Sequence, residues 1–294
     1  MRSSLEASEV SGLALGAFSD WWMEINESPQ WQDGVFYFLC AAYALVSAVA
    51  LIQLIRIQLR VPEFGWTTQK VFHFMNVIVN GARAVVFGFH SQVFLFKPKV
   101  FTLALLDLPG LLFFSTYTLL VLFWAEIYHQ ARSLSTDKLR TVYISINSGI
   151  YIIQVGIWTY LWVNDNSVVE LIGKIFIVVV SFIAALGFLL YGGRLFFLLR
   201  RFPIESKGRR KKLHEVGSSL VGSVTAICFT CFLIRCTVVG LSAFYPDASL
   251  EVLDHPILDL IYYTLTEIVP STLVLYILRK LPPKRVSAQY RPIR

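Results

Sequence analysis

Charge is what this sequence has least of. Only 15% of its 294 residues are Asp, Glu, Lys or Arg, against about 25% in an ordinary soluble domain. By contrast 56% are hydrophobic, and mean hydropathy is +0.62. Such a chain has too little polar surface to cover a globule, so a water-soluble fold is excluded and lipid must be its solvent. Cysteine is scarce as well. Cys40, Cys228, Cys231 and Cys236 all lie inside apolar stretches, which excludes a disulfide framework on exposed loops. Cys228-x-x-Cys231 has no neighbouring histidine and reads as small apolar packing rather than a metal or redox pair. The five histidines (His73, His90, His129, His214, His255) are scattered, which leaves no metal cluster. Gly-x-Ser-x-Gly, His-Glu-x-x-His and phosphate-loop motifs are missing, so the sequence offers no catalytic set and no cofactor site, and the expectation is a protein that is not an enzyme. The N-terminus lacks a signal-peptide plan. There is no low-complexity tract, and no repeat that divides the chain into inverted halves.

What is present is a series of seven apolar stretches, each long enough to cross a bilayer at about 20 residues per crossing. They fall near 35–59, 69–90, 101–128, 139–162, 168–200, 213–245 and 256–280. The fold class expected is therefore all-α: a polytopic seven-transmembrane helix bundle (35–280) with receptor-like topology. An acidic segment (1–34) precedes it and a basic tail (281–294) follows. Nineteen Lys and Arg fall on the first, third and fifth connections and the tail, against Arg2, Lys97 and Lys99 on the other side. That bias sets the C-terminus in the cytosol and the N-terminus on the exoplasmic or lumenal face. The net charge of +7 is thus a matter of orientation, and direct nucleic-acid binding is not expected. Trp21, Trp22, Trp31 and Trp162 fit an exoplasmic aromatic belt. Leu13 to Ile25 reads as a short interfacial helix, and Asn26-Glu-Ser as a glycosylation sequon close to the membrane.

Ionisable groups inside a bilayer cost about 2.5–3.5 kcal/mol each on insertion scales and therefore need partners. Arg83, Asp107, Arg235 and Glu267 lie about 9–17 Å from the exoplasmic ends of their stretches, counted at 1.5 Å per residue. Two charges of each sign in one layer predict a buried network, with Asp259 at its rim. Asn76 and Asn80 share a helix face with Arg83 and extend the polar stripe inward. The network reads either as a ligand or ion pocket or as a clamp between helices. Glu126, near the cytosolic end of the third stretch, is expected to pair with Arg132 or Arg194 as a cytosolic-end clamp, or to snorkel at the boundary. Pro109-Gly110 and Pro270 are expected to kink the third and seventh helices.

Any cytosolic partner must touch the connections and tail. The densest basic run supplies Arg200, Arg201, Lys207, Arg209, Arg210, Lys211 and Lys212, and the tail adds Lys284 and Arg285. Positive charge there orients the chain and attracts anionic lipid, so membrane lipid is one expected partner. The same surface reads as a docking patch for an acidic partner, and self-association into a homo-oligomer is left open.

Seven spans with an outside N-terminus also describes G-protein-coupled receptors. Their landmarks are absent: no Asp-Arg-Tyr ends the third span, no Cys-Trp-x-Pro lies in the sixth, and the seventh has neither Asn-Pro-x-x-Tyr nor a mid-membrane lysine for retinal. The chain instead resembles the plant tobamovirus multiplication protein family over essentially its whole length. Phe-Trp-Ala-Glu-Ile-Tyr-His-Gln-Ala-Arg at 123–132, Thr-Asp-Lys-Leu-Arg at 136–140, Glu-Ile-Val-Pro-Ser at 267–271 and Leu-Pro-Pro-Lys-Arg at 281–285 carry the resemblance. It implies a host protein of the vacuolar membrane, the tonoplast. Tobamovirus RNA replication proteins would be recruited to it through their helicase region, with an Arf-like small GTPase as an associated partner. From the residues themselves two other readings stand beside this one: a receptor-like protein with a ligand pocket in the exoplasmic half, and a proton-coupled transporter.

Overall fold

The structure is a computed structural model that describes residues 28–60, 67–93, 99–164, 166–201, 209–244 and 256–279. Among them are seven helices long and apolar enough to cross a membrane, and no strand. They are α1 (Pro29–Arg60), α2 (Thr68–Gly88), α3 (Lys99–Ala131), α4 (Asp137–Val163) and α6 (Arg209–Phe244), with α5 and α7 each built in three parts. α5 runs Ser167–Gly187, a π turn Phe188–Gly192, and Gly193–Arg201. α7 runs Pro256–Tyr263, a π turn Thr264–Ile268, and Val269–Leu278. A single turn, His90–Val93, follows α2. The architecture is that of a multi-pass membrane protein. The end carrying the first, third and fifth connections is called the basic end below, and the other the acidic end.

Local chemistry sets several boundaries. α1 starts at Pro29 rather than 35, because Ser28 offers its carbonyl to Trp31 and Gln32 and proline is preorganised for the first helical position. Apolarity alone does not register such a start. Thr67 caps α2 by accepting from the Lys70 amide at 3.3 Å, and Asn166 caps α5 by accepting from the Val168 amide at 2.9 Å. α3 stops sharply at its basic end. The Leu134 amide donates back to His129 O at 2.8 Å and that of Ser133 to Gln130 O at 3.2 Å, with Ser133 at φ 56°. This is a Schellman stop with serine in the left-handed position.

Packing separates the helices into an inner and an outer set. In α1, Phe36, Leu39, Tyr43, Val46, Ala50 and Ile57 are buried at helical spacings of three, four or seven, while Tyr37, Phe38 and Leu45 on the opposite face are exposed. An exposed apolar face is what lipid contact requires. α3 is the central helix, with 61% of its most apolar window buried, and α4 the peripheral one, with 11%. An aromatic group of Tyr117, Trp124, Phe188 and Phe232 joins α3, α5 and α6, with ring centroids 5.5–6.2 Å apart. The π turn of α5 presents Gly192 to this junction. A β-carbon there would run into Thr225 of α6 and lie 2.8 Å from the Trp124 ring, so the close crossing of these helices requires glycine. Trp31 and Trp162 are exposed at the acidic end, at the start of α1 and the end of α4. Residues 13–25, the Asn26 sequon, Trp21 and Trp22 lie outside the described residues.

Candidate functional site

Glu267 stands in the π turn of α7, three residues before Pro270. Proline has no N–H to return to the Thr266 carbonyl, and its ring crowds that carbonyl. The helix widens just ahead of it, as π turns do at disrupted ladders. The turn faces the Glu267 carboxylate into the centre of the bundle, where its residue is 1% exposed. Arg83 of α2 meets it in a fork: Nη2 donates to Oε1 at 2.7 Å and Nε to Oε2 at 2.9 Å. Arg235 of α6 donates from Nη1 to Oε1 at 3.3 Å. The Tyr43 hydroxyl of α1 donates to Oε2 at 2.6 Å. A carboxylate offers about four lone-pair sites, and here four donors use them. Glu267 has no acceptor capacity left for a ligand.

The third helix enters through its backbone. Arg83 Nη1 donates to the Leu106 carbonyl at 3.3 Å, next to the Leu105 carbonyl, to which Pro109 can return no N–H. A β-carbon on Gly110 would collide with the Arg235 guanidinium. Gly110 thus lets the Arg235 head group lie against α3, and Arg83 meets the same helix one turn earlier. Tyr263 completes the enclosure, with its ring centroid 4.9 Å from Arg83 Cζ. The cluster ties α1, α2, α3, α6 and α7 at one level.

The other residues of the expected network are placed differently. Asp107 makes no ion pair with either arginine among the described residues, and accepts from Trp158 Nε1 at 3.4 Å. The direct contacts around Glu267 therefore carry two positive charges and one negative. Asp259 is buried, two turns before Glu267 on α7. Asn76 and Asn80 are buried, but their amide groups donate to Phe72 O and Asn76 O, four residues back on their own helix, at 2.9 and 2.8 Å. Short amide side chains inside a helix have its own carbonyls nearest to hand, so they do not join the arginines. Tyr43 is the member that sequence reasoning missed. Its position in the apolar stripe of α1 gives no sign of the hydroxyl's partner.

At the basic end Glu126 of α3 pairs with Arg140 of α4, Nε to Oε1 at 2.8 Å, and accepts from Thr68 Oγ1 of α2 at 3.1 Å. This corrects the partner expected. Arg132 lies six residues beyond Glu126, about 240° around the helix at 3.6 residues per turn, and past its end; its guanidinium covers the Tyr128 ring at 5.1 Å. Arg194 is exposed while its neighbour Leu195 is buried, so it points out of the bundle. The tight stop at Ser133 folds α4 back antiparallel to α3, which sets Arg140 opposite Glu126. Among the described residues two donors meet a carboxylate that could accept about four. Nearby, a shallow cleft is lined by Thr68, Gln69, Phe72, Leu119, Leu120, Phe123 and Leu278. Its walls do not include Arg83 or Glu267.

Of the basic candidates, Arg200 is exposed at the end of α5. Arg201, Arg209, Arg210, Lys211 and Lys212 sit on helical backbone, and their side chains lie outside the description. Lys207, Lys284 and Arg285 lie outside the described residues. The four cysteines are free thiols: Cys231 reaches Leu265 O at 3.1 Å and Cys236 reaches Val178 O at 3.6 Å. Among the described residues no three of His, Cys, Asp and Glu come together as metal ligands.

Residues 17–294 match the THH1/TOM1/TOM3 domain. The chain is 80% identical over 278 residues to Tobamovirus multiplication protein 1 of Nicotiana tabacum, covering 95% of each chain. It is 74% identical over 285 residues to Tobamovirus multiplication protein 1 of Arabidopsis thaliana, covering 97% of this chain and 96% of the relative. To Tobamovirus multiplication protein 3 of Arabidopsis thaliana it is 58% identical over 294 residues, covering 100% and 95%. No solved structure gives a significant match.

Proposed function

The chain belongs to the THH1/TOM1/TOM3 family of tobamovirus multiplication proteins, and from that premise we propose that it is a multi-pass membrane host factor for tobamovirus multiplication. In this reading it is an anchor in the vacuolar membrane. The basic end faces the cytosol and gathers the viral replication protein, through its helicase region, together with an Arf-like small GTPase. The observation that carries the reading is 80% identity to a tobamovirus multiplication protein along 95% of both chains.

Two features of the bundle support a docking role over a ligand-binding one. Glu267, the deepest carboxylate of the expected pocket, has all its acceptor sites taken by Arg83, Arg235 and Tyr43. The cleft at the basic end borders Thr68, which holds Glu126, and so lies on the side where partners would arrive. Basic residues of the fifth connection (Arg200, Arg201, Lys207, Arg209 to Lys212) and of the tail (Lys284, Arg285) would supply charge to an acidic partner and to anionic lipid.

The test is a pull-down with the full-length protein in nanodiscs, using the purified viral helicase region and, separately, the GTPase. Replacing Lys207, Arg209, Arg210, Lys211 and Lys212 by Gln is expected to abolish capture while the thermal unfolding midpoint stays that of the parent. Capture undiminished by the substitutions removes the basic connection from the docking surface. Absence of capture by the parent chain overturns the anchor reading itself. Protease accessibility of a C-terminal tag in intact vacuoles tests the orientation: the tag is expected on the cytosolic face.

A further inference from the structure

α4 has the fewest buried residues of the seven helices among those described, and the face it turns to α3 carries a row of polar side chains beside Leu139, Ile150 and Leu161. Arg140, Tyr143, Asn147, Tyr151, Gln154 and Trp158 follow one another at spacings of three or four, and so share a face. They cover about 27 Å at 1.5 Å per residue, close to the thickness of a hydrocarbon core. Four of them reach α3. Arg140 binds Glu126 at 2.8 Å. The Tyr143 hydroxyl donates to the Ser115 carbonyl at 3.0 Å, and that of Tyr151 lies 2.9 Å from Ser115 Oγ. Trp158 donates to Asp107 at 3.4 Å.

The two that alternate with these contacts are the most enclosed polar residues of α4: Asn147 is 8% exposed and Gln154 1%. Asn147 donates its amide to Tyr143 O at 2.9 Å, which fixes which side of the group is oxygen. Its Oδ1, like Gln154 Oε1, is buried and accepts no hydrogen bond among the described residues. A buried amide oxygen without a donor is costly, and in lipid no bulk solvent can repair it. Both oxygens sit on a seam that already carries hydroxyls, so a water molecule bound there would find the two to four polar partners it needs.

We propose that the seam between α3 and α4 is a water-binding site. Water held there donates to Asn147 Oδ1 and Gln154 Oε1 and links them to the Tyr143, Tyr151 and Ser115 hydroxyls. The result is a hydrogen-bonded cluster along the middle of α4, between the Trp158–Asp107 contact toward the acidic end and the Arg140–Glu126 pair toward the basic end. It runs beside the Arg83–Glu267 cluster rather than through it. This goes beyond the anchor reading and does not depend on it.

Hydroxyl-radical footprinting of the full-length protein in nanodiscs tests the site, because radicals formed from bound water modify the side chains beside it. Tyr151, mid-span on the seam, is the reporter. Tyr117, mid-span and buried on α3, is the dry control, and Phe182, exposed on α5, is the lipid-facing control. Tyr151 is expected to be modified well above both, and the double variant N147L/Q154L to fall to the level of Tyr117. Modification of Tyr151 no faster than of Tyr117 and Phe182 in the parent protein overturns the proposal, whether or not the variant folds. Unchanged modification in a folded double variant, judged by its size-exclusion profile, also overturns it.

Discussion

Two carboxylates, each paired with an arginine, lie at different levels of this bundle and behave as different chemical objects. Glu267 and Arg83 are 1% and 4% exposed at their side chains, and the carboxylate accepts from four donors. Glu126 is 10% exposed, its partner Arg140 is 62% exposed, and it accepts from two donors among the described residues. The first pair has given up water entirely, so removal of one partner strands charge in a medium that cannot solvate it. The second retains solvent, so its energy is small and its geometry can change. The same residue types therefore make a rigid clamp at one level and an adjustable contact at the other, and burial decides which.

The comparison breaks most sharply at Glu267. Glu267→Gln leaves two buried guanidinium groups around a neutral amide and is expected to destabilise the bundle by about 3–5 kcal/mol, read as a lowered unfolding midpoint and poor yield in detergent. The triple variant Arg83→Leu/Arg235→Leu/Glu267→Leu should recover part of that loss, since it removes both guanidinium groups together with the carboxylate they share. Gly110→Ala comes next. The new methyl group takes the place of the Arg235 guanidinium, an overpacking cost of about 1–3 kcal/mol. In a double-mutant cycle with Arg235→Leu the two effects should fail to add, because both act on one contact; strict additivity would mean that Gly110 and Arg235 do not share a site. Tyr43→Phe removes one hydrogen bond to a charged group while keeping the ring, for a loss of about 1.5–3 kcal/mol in the same assay. Glu126→Gln is expected to cost least, about 0.2–1 kcal/mol. Its effect should fade in 1 M salt, where the screening length is about 3 Å. The Glu267 effect should persist in that salt, and equal salt sensitivity at both sites would erase the distinction between them.

The layer containing Arg83, Arg235 and Glu267 was legible because depth can be counted in residues from a span's end, and charges at equal depth need one another. Which of the charges touch was not legible. Asp107 was at the right depth, yet it turns to Trp158 on α4, since azimuth around a helix depends on packing against neighbours rather than on distance from the membrane surface. Tyr43 was hidden for the same reason: its ring follows the apolar spacing of α1 and only its last atom is polar. The Glu126 partner was misjudged because sequence proximity favoured Arg132. The stop at Ser133 reverses the chain, and reversal brings Arg140 across from the carboxylate. Pro109-Gly110 announced a disruption, but the guanidinium that lies against Gly110 comes from Arg235 of α6, over a hundred residues after it.

Composition and spacing by themselves determined that this protein lives in lipid, how many times it crosses, and which connections carry the positive charge. These are transfer and insertion properties, additive along a chain, and they need no knowledge of neighbours. Only the tertiary structure decided that Glu267 is saturated, that Asn76 and Asn80 turn back on their own helix, and that α4 meets α3 along a polar seam. Each of those depends on the rotation of one helix against another, which is set by the joint packing of side chains that lie far apart in sequence.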